Sequence, residues 1–515
     1  MFRNMCLFVV LILVILLIVY NKWRKKCDSK PVKNPPPSPP RLPILGNLHQ
    51  LGKSPYRSLE SMSNKYGELM LLKLGNKPTL VVSSANVARQ IMKTHDIIFS
   101  NRPKSVTVRK LCYDGRDVAF SDYGEYWRQM KSLCMIRLLS SAKVRSFGSI
   151  REEEMEIMVG KIKEANGGVV NLSEIIMDFT NDVICRAAFG RKYCGDDNGR
   201  NFDELVKAFQ EALGTMSVGD FIPWLSWFDN VSGARKKVEK IGKDFDDFLE
   251  GIVEEHVARH ENGDYVDKGV EQKDFVDVLL EFQRNGANGF AIDRESIKAL
   301  ILDMFSGGTD TSYTAIEWAM SEVLRHPNIL KQLQEEVRNI TKGKQDINEH
   351  DLAEMKYLKA VIKETLRLHP PDPLLVFRES TQDVNIHGYD IEARTQVIVN
   401  AWAIHRDPVS WNDPNKFDPK RFVMDPMDFR GQDFKFIPFG AGRRSCPGVS
   451  FATVSMELVL ATLVKAFDWK LPAEAEPESL DMTERNGIII HKRHPLLAVA
   501  TTGHITWNSS FSCSE

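Results

Sequence analysis

The chain has 515 residues with a formal net charge of −1, and 43% of them are hydrophobic and 27% charged. That is enough apolar material for a large core, and length alone allows about three domains. The near-zero charge gives no global sign of nucleic-acid binding, and the eight cysteines, at 6, 27, 112, 134, 185, 194, 446 and 513, follow no regular spacing. This argues against a disulfide framework and for a reducing compartment.

At the amino end, Met5–Tyr20 is a run of sixteen uncharged residues, followed by Lys22, Arg24, Lys25 and Lys26. A bilayer span needs about 17–25 residues. With Trp23 at the interface, the run reaches across a thin membrane such as that of the endoplasmic reticulum. A cleaved signal peptide would carry its charge ahead of the apolar run and end in small residues; here only Arg3 precedes the run. Residues 1–21 are therefore expected to be a retained transmembrane anchor. The basic cluster then places everything after it in the cytosol. Residues 22–41 form a basic and Pro-rich hinge, in which Asn34-Pro35-Pro36-Pro37-Ser38-Pro39-Pro40 favours a stiff, extended chain.

Beyond the hinge, Leu69–Leu74 and Thr79–Ser83 read as strands around a Gly75-Asn76 turn, and Val397–Asn400 as another. Helical periodicity predicts long helices at Phe245–His260, Arg294–His326, Ile329–Thr341 and Glu354–Leu368. The polar segment 260–275 reads as a surface loop. The expected fold class is mainly α with small β-sheets (α+β). Residues 42–500 are taken as one catalytic domain and 501–515 as a polar tail.

Four local patterns carry chemistry. Trp127 and Lys131 stand one helical turn apart, with Arg128 between them. Gly307-Gly308-Thr309-Asp310-Thr311-Ser312 interrupts the longest predicted helix. Two glycines there cost about 2 kcal/mol of helix propensity, so something must compensate. Gly307 and Thr311 share a face, where a ligand could lie against bare backbone beside a hydroxyl. Glu364 and Arg367 are three apart on a helix, usually the spacing of a surface pair. Last, Phe439-Gly440-Ala441-Gly442-Arg443-Arg444-Ser445-Cys446-Pro447-Gly448 fences one cysteine with glycines and arginines. No second Cys or nearby His makes a zinc pattern. A lone thiolate can serve as the axial ligand of a haem iron.

The last run meets every fixed position of the Phe-x-x-Gly-x-Arg-x-Cys-x-Gly signature of the cytochrome P450 superfamily, and the chain resembles that family. The run at 307–312 resembles the family's oxygen-activation motif, and the overall wording resembles the plant 71 clan. The resemblance implies a cytochrome P450 fold and a haem-thiolate monooxygenase. Cys446 would ligate the iron of haem b, and Asp310 and Thr311 would relay protons. Trp127, Lys131, Arg378 and Arg444 would meet the haem propionates. Lys131 replaces the family's arginine and lacks its bidentate geometry, which leaves Arg128 as an alternative. Gly307, Phe439 and Gly448 complete the haem contacts. Glu364, Arg367 and Arg421 would form a buried structural triad. A substrate pocket would take Leu300, Asp303, Met304, Leu374, Leu375 and Ile488, within a lining that includes the 108–120 and 213–218 segments.

The chain shows no dinucleotide fingerprint of its own. Electrons from NADPH would therefore come through a partner, NADPH–cytochrome P450 reductase, with cytochrome b5 as a second donor. Arg128, Lys435 and Arg443 are candidate docking charges. The expected setting is the endoplasmic reticulum membrane, with membrane lipid around the anchor, a small hydrophobic substrate and no nucleic acid. The resemblance implies oxidation of a terpenoid, alkaloid, phenylpropanoid or coumarin. Two other classes remain at this point: a haem-thiolate isomerase or dehydratase acting on a hydroperoxide, and a non-catalytic haem sensor.

Overall fold

One helix organises the molecule. Arg294–Arg325 has 32 residues, or about 48 Å of length. Asp293 caps its start by accepting from Ser296 N at 2.9 Å, which satisfies one of the amides the first turn leaves open. It ends at His326 because Pro327 follows and opens the next helix, Pro327–Ile340. The helix is buried almost all round, which marks a core helix. The exception is Ser306–Tyr313, where only Thr309 and Ser312 are buried. It packs along Leu172–Phe189 on one side and Val449–Ala466 on another.

The computed structural model describes residues 33–193, 197–215, 217–261, 273–286, 290–344 and 346–502. The expected anchor, the basic part of the hinge, most of the 260–275 loop and nearly all of the tail lie outside the described residues. Among the described residues one helix, Val449–Ala466, is long and apolar enough to cross a membrane; 61% of it is buried, so it is a core helix.

The sheets are small. Leu69–Leu74 pairs antiparallel with Lys77–Val82, which runs parallel to Gln396–Val399, and Arg378–Glu379 closes that edge. A second sheet joins Val169–Asn171, Leu497–Thr502 and Phe467–Lys470. The predicted strand at Val397–Asn400 starts one residue earlier and loses its end, because Asn400 turns out to cap Ala401–Ile404 through Ala403 N at 3.1 Å.

The helices depart from expectation in two places. Phe245–His260 is only the latter part of Ala234–Glu261. Glu354–Leu368 breaks at buried Met355, and the helix proper is Lys356–Leu368. Its first amides, Tyr357 N and Leu358 N, both donate to the Glu336 carboxylate at 2.8 Å. A cap supplied from a different helix leaves no local signal in the sequence.

Candidate active site

The gap in the burial of the long helix opens onto a cavity of about 1050 Å³. The loop Phe439–Gly448 faces it from the other side. Within that loop, Cys446 N donates to Phe439 O at 2.9 Å and Ser445 N to Gly442 O at 3.1 Å. Gly442 has φ +71, and a Cβ there would stand 2.1 Å from Met92 O. No other residue fits. Gly448 N–H lies 3.3 Å from Cys446 Sγ and precedes the first turn of Val449–Ala466. Burial pushes the Cys446 thiol up, while the Gly448 amide and the Lys131 cation favour thiolate.

Among the cations that line the same cavity are Arg102, Lys131, Arg378 and Arg444. Arg444 donates to Ser100 O at 2.7 Å and Val118 O at 3.1 Å and lies 4.4 Å over the Trp127 ring. Trp127 Nε1 donates to Val118 O at 3.0 Å, and Lys131 Nζ to Ser445 O at 2.7 Å. Arg378 donates to Asp96 at 3.1 Å and to Ala441 O at 2.8 Å. Burial holds these guanidiniums below their usual range, Arg444 at about 10, and repulsion from neighbouring arginines adds to it for Arg102 and Arg444.

The nearby carboxyls do not offset that charge fully. Burial raises Asp117 and Asp372 to about 7. Burial and the neighbouring Asp117 raise Asp303 well above its ordinary value as well. The cavity wall therefore carries excess positive charge in a low-dielectric setting. An anion with two carboxylates answers it, and haem has two propionates. The residues present fit that group. Arg102 is absent from the sequence expectations, because Ser100-Asn101-Arg102-Pro103 has no pattern that marks it. Arg128 is a correction: its side chain is 53% exposed, pairs with Glu125 and does not line the cavity. It shares a surface depression with Arg443, while Lys435 is held by Asp425 and Asp433.

On the long helix, Thr311 Oγ1 donates to Gly307 O at 2.7 Å. Asp310 Oδ2 lies 3.2 Å from His491 Nε2. The two glycines serve different ends. A Cβ on Gly307 would meet nothing within 4 Å, so that glycine faces open cavity; one on Gly308 would stand 2.6 Å from Ile184 Cδ1. We expect Gly307→Ala to raise the thermal midpoint slightly, by about 1 kcal/mol of helix propensity. Gly308→Ala should raise it less or lower it, since Ile184 must shift to admit the methyl group and that cost offsets the propensity gain. Thermal unfolding of the two variants checks the contrast.

Of the expected pocket residues, Asp303, Met304, Leu375 and Ile488 line the cavity. Leu300 and Leu374 do not. Leu300 shares the face of Met304 but lies one turn nearer the start of the helix, where it is fully buried in the main core, and Leu374 packs beside the larger sheet. The Asp303 carboxylate accepts from Val118 N at 2.6 Å and Ala119 N at 3.3 Å, so it ties the overlying loop to the helix. Phe439 and Gly448 line the cavity as well.

Behind the loop, Glu364 meets both Arg367 (2.7 and 2.8 Å) and Arg421 (2.9 Å), and Asp418 N adds a fourth contact at 2.8 Å. Arg367 also donates to His405 O at 2.8 Å, and His405 Nε2 accepts from Ile437 N at 2.9 Å. Burial and Arg367 depress His405 to about 3, so it is neutral and free to accept. The triad is thus two contacts away from the cysteine loop.

The family model described as "Cytochrome P450" matches residues 36–499. The chain belongs to the cytochrome P450 family, within the plant 71 clan. It is 51% identical over 494 residues to cytochrome P450 736A117 of Prunus mume, covering 95% of each chain. It is 51% identical over 469 residues to norfluorocurarine oxidase of Strychnos sp., covering 90% of this chain and 91% of the other. Cytochrome P450 71A25 of Arabidopsis thaliana is 50% identical over 498 residues, covering 96% and 99%. A zebra fish cytochrome P450 solved with progesterone superimposes with a TM-score of 0.75 at 26% identity, over 87% of this chain and 99% of that one. The protein is accordingly a haem b monooxygenase that uses O₂ and NADPH-derived electrons.

Proposed function

We propose that the enzyme inserts one oxygen atom from O₂ into a small hydrophobic plant specialised metabolite, a terpenoid, alkaloid or phenylpropanoid/coumarin. The observation that carries this is a single cavity with Cys446 on one wall and Asp310 and Thr311 on the other. An alkaloid substrate has added support from the name of the Strychnos relative. Bound haem supplies oxygen activation and transfer to a C–H bond. Cys446 would hold its iron as thiolate, and Arg102, Trp127, Lys131, Arg378 and Arg444 its propionates. Met304, Leu375 and Ile488 would exclude water and orient an apolar substrate. Asp310 would hold a proton and Thr311 pass it toward the cavity. NADPH–cytochrome P450 reductase would dock on the outer face beside Arg128 and Arg443, with cytochrome b5 as a second donor.

An N-terminal anchor over 1–21 would hold the 42–500 catalytic domain on the cytosolic face of the endoplasmic reticulum, with 501–515 as its tail. Support comes from exposed apolar groups. Trp224, Trp227, Phe228 and Val231 are each about half exposed or more, as are Leu42 and Leu45 nearly so. The turn at Gly75-Asn76 links the two groups through Leu45 O and Phe221 O. Such a patch suits a membrane interface.

Turnover by microsomes with reductase, over a panel of terpenes and alkaloids, tests the reading. Product that requires NADPH supports it. Hydroperoxide rearrangement without NADPH would replace it with the isomerase reading. For Thr311→Ala we expect NADPH oxidation to continue while product per NADPH drops on the order of tenfold and peroxide rises. Unchanged coupling would remove Thr311 from the relay.

A further inference from the structure

Asp310 is held from outside its own helix. His491 lies on a two-residue strand, His491–Lys492, paired with Glu484–Arg485. The residue before it is pinned on both sides: Ile490 N donates to Pro371 O at 2.9 Å, and Trp318 Nε1 donates to Ile490 O at 2.9 Å. The imidazole is therefore delivered to a fixed place. Its Nε2 is 3.2 Å from Asp310 Oδ2, and its Nδ1 is 2.8 Å from Thr314 Oγ1. The ring stacks on Tyr313 at 5.7 Å between centroids and 27° between planes. Asp310, Tyr313 and Thr314 are spaced i, i+3, i+4, so they form one helix face and the imidazole covers it.

We propose that His491 is the positioning residue of Asp310, holding its carboxylate at the cavity and returning to it the proton that the relay spends. This rests on the relay role proposed above for Asp310. Among the described residues no other cation pairs with Asp310. The charged and titratable groups around the imidazole are few. On the long helix they are Asp310, Tyr313 and Glu317, on the paired strand Arg485, and beside it Lys492. Tyr313 and Ser173 both donate to Glu317, and Lys492 donates to Asp481 O. Arg485 lies near Glu211 instead.

The proton bookkeeping is simple. As an imidazolium, His491 donates from Nε2 to Asp310 and from Nδ1 to Thr314. Transfer of the Nε2 proton to Oδ2 gives a neutral carboxyl and a neutral imidazole protonated at Nδ1. Once Asp310 passes its proton on and is again a carboxylate, Nε2 takes up a proton that bulk solvent supplies as hydronium or buffer acid. No electrons move. The polar lining continues from Asp310 through Glu317 and Asn181 to Asp178, which pairs with exposed Lys161. On this proposal, solvent along that lining would supply the proton. Sequence alone conceals this role, because no pattern in His491-Lys492-Arg493-His494 marks the first histidine.

The test uses full-length, haem-loaded protein with ¹⁵N-labelled histidine, as the diamagnetic reduced carbon monoxide complex. Twelve histidines are present, and loss of one signal in H491Q assigns His491. A slowly exchanging, downfield Nε2–H resonance is expected, and D310N should abolish or shift it. An unchanged resonance in D310N overturns the contact. This arm needs no turnover, and H491N serves for assignment if H491Q does not bind haem.

The second arm follows 7-ethoxycoumarin deethylation with NADPH and reductase. Glutamine can still donate to Asp310 but cannot give up a proton. H491Q should therefore lose about tenfold in product per NADPH with KM unchanged. Wild-type coupling in H491Q overturns the proton-return role. Wild-type coupling in D310N would instead refute the relay role of Asp310 itself, so the two failures are distinguishable.

Discussion

Replacing Cys446 with Ala abolishes the red-shifted absorption band of the reduced carbon monoxide complex and all NADPH-dependent product formation. The band reports thiolate ligation, and among the described residues no other thiol lines the cavity. Cys112, Cys134 and Cys185 are buried in the core, away from the cavity lining, while Cys446 faces the cavity. Burial holds Cys112 and Cys134 strongly toward the neutral thiol. The cation cradle of Arg102, Lys131, Arg378 and Arg444 survives the substitution, so we expect some haem to be retained with a shifted, unligated spectrum. Absorbance of the reduced protein under carbon monoxide checks this. A C446A variant that kept the band would falsify the ligand assignment.

The second large effect is on stability. Glu364→Ala leaves Arg367, whose side chain is fully buried, facing no carboxylate. Stranding a buried charge in this way costs about 3–5 kcal/mol. At about 2 cal/mol/K of unfolding entropy per residue, that is a drop of about 4 °C in thermal midpoint for a domain of this size. Haem retention should fall too, since Arg367 reaches the cysteine loop through His405 and Ile437. Arg421→Ala should cost less, because that side chain is 13% exposed and water can replace part of it. Circular dichroism melts of the two variants, with haem content measured alongside, decide the matter. Equal and small shifts would remove the triad from the support of the loop.

Much of this was readable from local pattern. The cysteine loop works through bonds between near neighbours, such as Cys446 N to Phe439 O, and its glycines are needed for φ values that others avoid. The Gly307–Ser312 run stood out because it conflicted with helix propensity. What the sequence could not show were contacts made across long separations. Arg102 reaches Val376 O from 274 residues away, and His491 reaches Thr314 from 177 residues away, beside Asp310. Leu300 and Leu374 were misplaced for a related reason. Helical spacing puts Leu300 on the same face as Met304, but not at the same height, and the cavity does not extend to it.

By itself the sequence determined the reaction class, because the cysteine loop, the interrupted helix and the Glu364–Arg367 pair each rest on residues a few positions apart. It also determined that the chain is mainly helical, through periodicity that any helix must carry. The tertiary structure decided which cations face the cavity, which glycine is open and which is packed, and which base stands behind Asp310. Those answers depend on charge balance and contact in three dimensions, where burial makes an unpaired arginine or a misplaced methyl group costly. No one-dimensional pattern encodes that cost.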